Sequence, residues 1–106
     1  MEEDYVLLAS ITMHMYDSQQ KNQEALDLLV QAKTLNIFPT INLHKQEAIA
    51  LIRLGRSEDA RKSLEAYKEA VYNQLSNLGR SSGYFYDYYY DEFEWASKMI
   101  HKVRLF

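Results

Sequence analysis

AIALIRLGRSEDARKSLEAYKEA, residues 48–70, is the stretch whose reading decides the fold. Apolar residues recur at helical spacing on both sides of one glycine: Ala48, Ile49, Leu51 and Ile52 before it, Ala60, Leu64 and Tyr67 after it. Gly55 falls where a helix end needs a residue that tolerates positive φ. Ser57 can cap a new helix, and Glu58 and Asp59 in its first turn oppose the helix dipole. Glu58–Lys62 and Glu65–Lys68 are spaced for weak ion pairs along one helix surface. The stretch reads as the heart of a helical hairpin. Its first helix covers roughly residues 40–54, capped by Thr40, with Leu43 on the apolar face and Lys45, Gln46 and Glu47 polar. Its second runs from 57 to about 77, burying Ala60, Leu64, Tyr67, Val71 and Leu75 or Leu78.

Moving outward, Leu7, Leu8, Ile11 and Met15 fall at helical spacing within residues 4–17, with Asp4 placed to cap the start. After SQQKN a second helix is predicted over 22–36, with Asn22 as its cap and Ala25, Leu28, Leu29, Ala32 and Leu35 as its buried face. Pro39 disfavours helix at Phe38 and starts the next element, so the first hairpin covers 4–38 and the second 39–78. GRSSG, residues 79–83, is a loop. Beyond it, over 84–105, Tyr89, Phe93, Ala96, Ile100 and Val103 draw one helical stripe. Acids crowd the front of that segment and bases the back, the polarity a helix dipole favours. Tyrosine also suits strands, which leaves residues 84–90 open to an extended form; helix is predicted from about residue 86.

Composition narrows the field. At 106 residues the chain is expected to form a single domain, 1–106. Three glycines and one proline argue against an all-β fold and against disorder. Without cysteine there are no disulfides, thiolate metal sites or cysteine nucleophiles, which fits a reducing, cytoplasmic location. No apolar run approaches the length that spans a membrane, and an acidic start (Glu2, Glu3, Asp4) does not suit a secretory signal. A net charge of −3 gives no global attraction for nucleic acid.

Nothing in the sequence builds a catalytic signature, and the chain is not expected to be an enzyme or to need a cofactor. His14, His44 and His101 lie on three different predicted helices, and His44 with Glu47 makes at most a weak metal site, so no metal is expected. GRSSG lacks the lysine of a phosphate loop, and no nucleophile elbow is present. The outstanding feature is aromatic: of fourteen Phe, Tyr and Trp residues, eight lie between Tyr84 and Trp95. Stacking platforms for nucleic acid need a basic groove, whereas these twelve residues carry four acids and no base. One helix cannot bury all eight rings against one neighbour. Tyr86, Tyr90, Trp95 and Met99 are candidates for a C-terminal interface, self-association included, with Trp95 and Met99 expected to lie off the inward stripe.

The chain also repeats itself. NQEALDLLVQAKTL and SEDARKSLEAYKEA align with Ala25 on Ala60, Leu29 on Leu64 and Ala32 on Tyr67, a period of 35 residues. Periods of about 34 residues built from helix–turn–helix units point to tetratricopeptide-type repeats. Residues 48–70 resemble one such repeat: Ala48 is the small residue of the first helix, Leu51 its large partner, Gly55 the turn and Ala60 the small residue of the second helix. Residues 5–38 resemble it through Tyr16, Ala25, Leu29 and Ala32, with Met13 at the small position and Gln20 at the turn glycine. One further period from Ala60 lands on Trp95, so the last helix reads as a cap. The expectation is an all-α fold of about five helices, with antiparallel hairpins stacked as a short tetratricopeptide-like right-handed solenoid.

The resemblance implies a non-enzymatic scaffold whose first helices line a groove for a peptide or helix of another protein. Carried over by position, that groove is Leu7, Ser10, Ile11 and His14 in the first unit and Asn42, Lys45, Gln46 and Ile49 in the second. This mixed surface suits an apolar peptide or helix. Ser10 and His14 stand where a carboxylate-clamping member has lysine and asparagine, so that clamp is not implied. An adaptor or dedicated chaperone follows, similar in size and repeat count to type III secretion chaperones. The alternative is a regulatory or sensor module that binds a signalling peptide and oligomerises, as a dimer for instance, through its C-terminal helix. Neither nucleic acid nor membrane is an expected partner.

Overall fold

A computed structural model describes residues 2–15, 18–35, 40–78 and 83–103. Helix α1 spans Glu2–Met15, α2 Gln19–Thr34, α3 Ile41–Arg53, α4 Ser57–Leu78 and α5 Tyr84–Val103. No strand occurs among the described residues, and the fold is all-α.

Local chemistry fixes the helix ends. The Thr40 hydroxyl accepts from the Leu43 backbone N–H at 3.3 Å and caps α3. At the other end Gly55 has φ +74°; its N–H bonds the Ile52 carbonyl while the Arg56 N–H reaches back to Leu51. This is the paired closure that a left-handed residue after a helix allows. Helix α4 takes Ser57 as its first residue rather than as a flanking cap, and the Arg56 carbonyl accepts from Ala60. Helix α2 begins earlier than the sequence suggested. Its cap is Ser18, which accepts from the Lys21 N–H at 3.2 Å. Asn22 is buried instead, its Oδ1 without a hydrogen-bond partner among the described residues. Helix α5 is continuous from Tyr84, so residues 84–90 are helical. Residues 79–82 and Pro39, on which the predicted loop and hairpin boundary fell, lie outside the described residues.

The helices pack in chain order, each against the next, and α1 also touches α3. One cluster gathers Ala9 and Met13, Leu29, Leu43, Leu64 and the far end of α5 at Ile100 and Val103. A second joins Tyr67 and Val71 of α4 to Ala96 of α5, with Tyr89 and Phe93 against it. Ala25 and Ala60, Leu29 and Leu64, Ala32 and Tyr67, the pairs aligned by the 35-residue period, are all buried.

Three packing expectations need correction. In α1 the inward residues are Val6, Ala9 and Met13, while Leu7, Leu8 and Ile11 remain exposed. Leu35 is exposed and Leu28 only partly buried, because Leu26 takes the inward place in α2. Glu47 is buried: Ser63 Oγ donates to its Oε1 at 2.7 Å, and Lys33 Nζ lies 2.5 Å from Oε2. Along α4 the surface ion pairs centre on Arg61, which holds both Glu58 and Glu65.

Candidate functional site

The residues expected to line one groove are divided by the fold. Helix α1 presents Leu7 and Ile11 to solvent with Leu8 beside them, and Ser10 is half-buried. His14 is a residue of α1, but its side chain lies outside the described residues. Helix α3 presents Asn42, Lys45 and Gln46 to a cleft of about 180 Å³, closed on the other side by Tyr67 of α4 and by Tyr88 and Tyr89 of α5. Leu7 and Ile11 are not among the residues lining that cleft. Ile49 packs half-buried against the core.

Charge at the α3–α5 contact is internally matched. Lys45 Nζ pairs with Glu92 Oε1, and the Tyr67 hydroxyl donates to the same oxygen at 2.7 Å. Burial, and then the adjacent Glu92 carboxylate, hold the Tyr67 hydroxyl well above the usual tyrosine range. The Tyr67 ring meets Trp95 edge-on at 6.0 Å, and Lys45 Nζ stands 5.2 Å from the Trp95 ring centre. Lysine, tyrosine, carboxylate and indole thus contact one another in a single cluster. This cluster ties α3, α4 and α5 together and carries no activated nucleophile. Sequence reasoning named Lys45 and Trp95 but missed their link through Glu92, which lies 47 residues from Lys45 and has no local signal.

The aromatic segment divides as well. Trp95 and Met99 are half-buried against the core rather than lying off it. The helix turns them inward because α4 and α3 both flank α5 on that side, as Tyr67 and Lys45 show. Tyr86 and Tyr90 instead line an outer cleft of about 270 Å³ with Tyr72, Leu75, Ser76 and Phe93. Tyr84 and Phe85, 77% and 60% exposed, stand at the start of α5.

Among the described residues no group of three or more His, Cys, Asp and Glu gathers to hold a metal ion, and no helix is long and apolar enough to cross a membrane. No protein-family model, curated protein or solved structure matches this chain.

Proposed function

We propose that this chain is a non-enzymatic protein-binding module that holds an apolar peptide or helix of a partner, as an adaptor or dedicated chaperone. The observation that carries this reading is α1. Val6, Ala9 and Met13 occupy the core, yet Leu7, Leu8 and Ile11 on the opposite side are 62%, 51% and 44% exposed. A helix that is apolar all round belongs inside something, and here the second side stays open to solvent. The buried pairs at a 35-residue spacing support a tetratricopeptide-like stacking of the two hairpins, with α1 as the partner-binding helix. The absence of cysteine accords with a cytoplasmic setting.

The test is co-purification from the native source with a Leu7→Glu, Ile11→Glu variant beside the unchanged chain. A partner recovered in fixed ratio by the unchanged protein, and lost from the variant while its helical circular dichroism persists, supports the reading. Equal recovery by both sinks it. Ile49 is a poor target for this purpose, because it packs on the core.

The exposed Tyr84 and Phe85 favour a second reading, a regulatory module that self-associates through α5. A monomeric mass in solution at high protein concentration removes it.

A further inference from the structure

The outer seam between α4 and α5 is a groove on other helices than the α1 surface. At one end, about 270 Å³ is walled by Tyr72 and Leu75 from α4 and by Tyr86, Tyr90 and Phe93 from α5. The rings form two pairs: Tyr86 lies nearly parallel to Tyr90 at 6.5 Å between centres, and Tyr72 is tilted against Phe93 at 6.1 Å. Tyr72 and Phe93 also border a wider cleft of about 530 Å³, whose other walls include Glu65, Lys68, Glu69, Ile100 and His101. The two clefts meet at this ring pair, which walls both.

Two features select for positive charge. Aromatic faces attract cations through their quadrupole, and this seam already displays the contact: Lys68 Nζ stands 5.1 Å from the Phe93 ring centre. Acids supply the second. Glu92 is engaged inside by Lys45 and Tyr67, but Glu69 on α4 lines the wider cleft, and the exposed Asp91 and Glu94 on α5 act on the Tyr90 hydroxyl that walls the narrower one. Glu94 is close enough to Tyr90 that its carboxylate, by hydrogen bond and charge, raises the tyrosine hydroxyl above its ordinary range.

We propose that the α4–α5 groove docks a cationic amphipathic helix of a partner protein, with a lysine or arginine side chain seated between the two ring pairs and aliphatic residues along the Leu75–Ile100 floor. Charge complementarity chooses this occupant. A second copy brings net charge −3 to an acidic rim, and nucleic acid or an anionic lipid surface brings the same sign more strongly. The proposal rests on α4 and α5, not on α1, so it can fail independently of the α1 reading.

The probe is a synthetic peptide of about fourteen residues, built from leucine and lysine in helical register, titrated calorimetrically into the full chain. Leucine–glutamine and leucine–glutamate peptides of the same pattern are the controls. The lysine peptide is expected to bind about tenfold or more tightly than either control. Tyr72→Leu with Tyr90→Leu should weaken it by a similar factor. Equal binding of the glutamine peptide, no binding of the lysine peptide, or indifference to the tyrosine pair overturns the proposal. Should the tyrosine variant lose its fold, amide chemical shifts of the unchanged protein decide. Perturbations concentrated at residues 65–76 and 86–101 support the groove, and perturbations centred elsewhere refute it.

Discussion

Tyr67 donates its hydroxyl proton to a carboxylate oxygen that already holds a lysine. A hydrogen bond to a charged acceptor is worth about 1.5–3 kcal/mol, and Lys45 remains to neutralise Glu92 if the hydroxyl is removed. Tyr67→Phe should therefore lower stability by about 2 kcal/mol without exposing an unpaired charge. The pH dependence follows from the raised hydroxyl. The folded state keeps a proton that the unfolded chain releases near pH 10, so the contribution is complete below about pH 10 and declines as pH rises above it. Urea midpoints of the two proteins should differ most near neutral pH and converge above about pH 10; a gap that widens with pH contradicts the assignment. No feature near Tyr67 in the sequence announced this role. Its place on the buried stripe of α4 was legible from spacing, but the partner comes from a helix 25 residues away.

Single elements were legible where one residue's chemistry decides. Thr40 and Gly55 bound α3 because a hydroxyl cap and a positive φ are local requirements. The stripe through Ala96, Ile100 and Val103 was readable because α5 is strongly amphipathic. Helix α1 was not, since leucine, isoleucine and methionine surround it and spacing cannot choose between two apolar sides. Glu47 was missed for a related reason: charged residues are presumed exposed unless their partners are known, and its partners come from two other helices. Those partners make an element-scale prediction. Lys33 on α2 and Ser63 on α4 both hold Glu47 on α3, so one carboxylate joins three helices. The Lys33 side chain is partly in water and Glu47 is not. Lys33→Met should thus cost about 2 kcal/mol, most of it from stranding a buried charge, and adding Glu47→Gln should recover part of that loss. A double-mutant cycle in chemical denaturation measures the coupling; additive losses would mean that the pair is merely adjacent.

Across the whole molecule the helices pack in chain order, and α5 packs most extensively on α4. Helix α5 is more than an end piece by that measure. Ile100 and Val103 enter the first apolar cluster, while Ala96 completes the second with Tyr67 and Val71. Glu92 supplies the charge that Lys45 and Tyr67 share. A chain ending at Leu78 would leave Tyr67 and Val71 bare on α4 and Lys45 without its carboxylate. It should bind a hydrophobic dye and lose its sharp thermal transition, by circular dichroism, while keeping residual helix. Replacing Tyr84 and Phe85 by serine in the full chain should change stability by less than about 0.5 kcal/mol, since both rings are largely in solvent. The contrast separates the two uses of an aromatic-rich helix. If truncation leaves a cooperative transition, α5 is an appendage and its rings exist for a partner alone. If the serine pair lowers the melting temperature as truncation does, the exposed rings belong to the fold and no surface is left over. Loss with the first and indifference to the second is the outcome that this packing requires: a helix whose inner side completes the core while its outer side stays available.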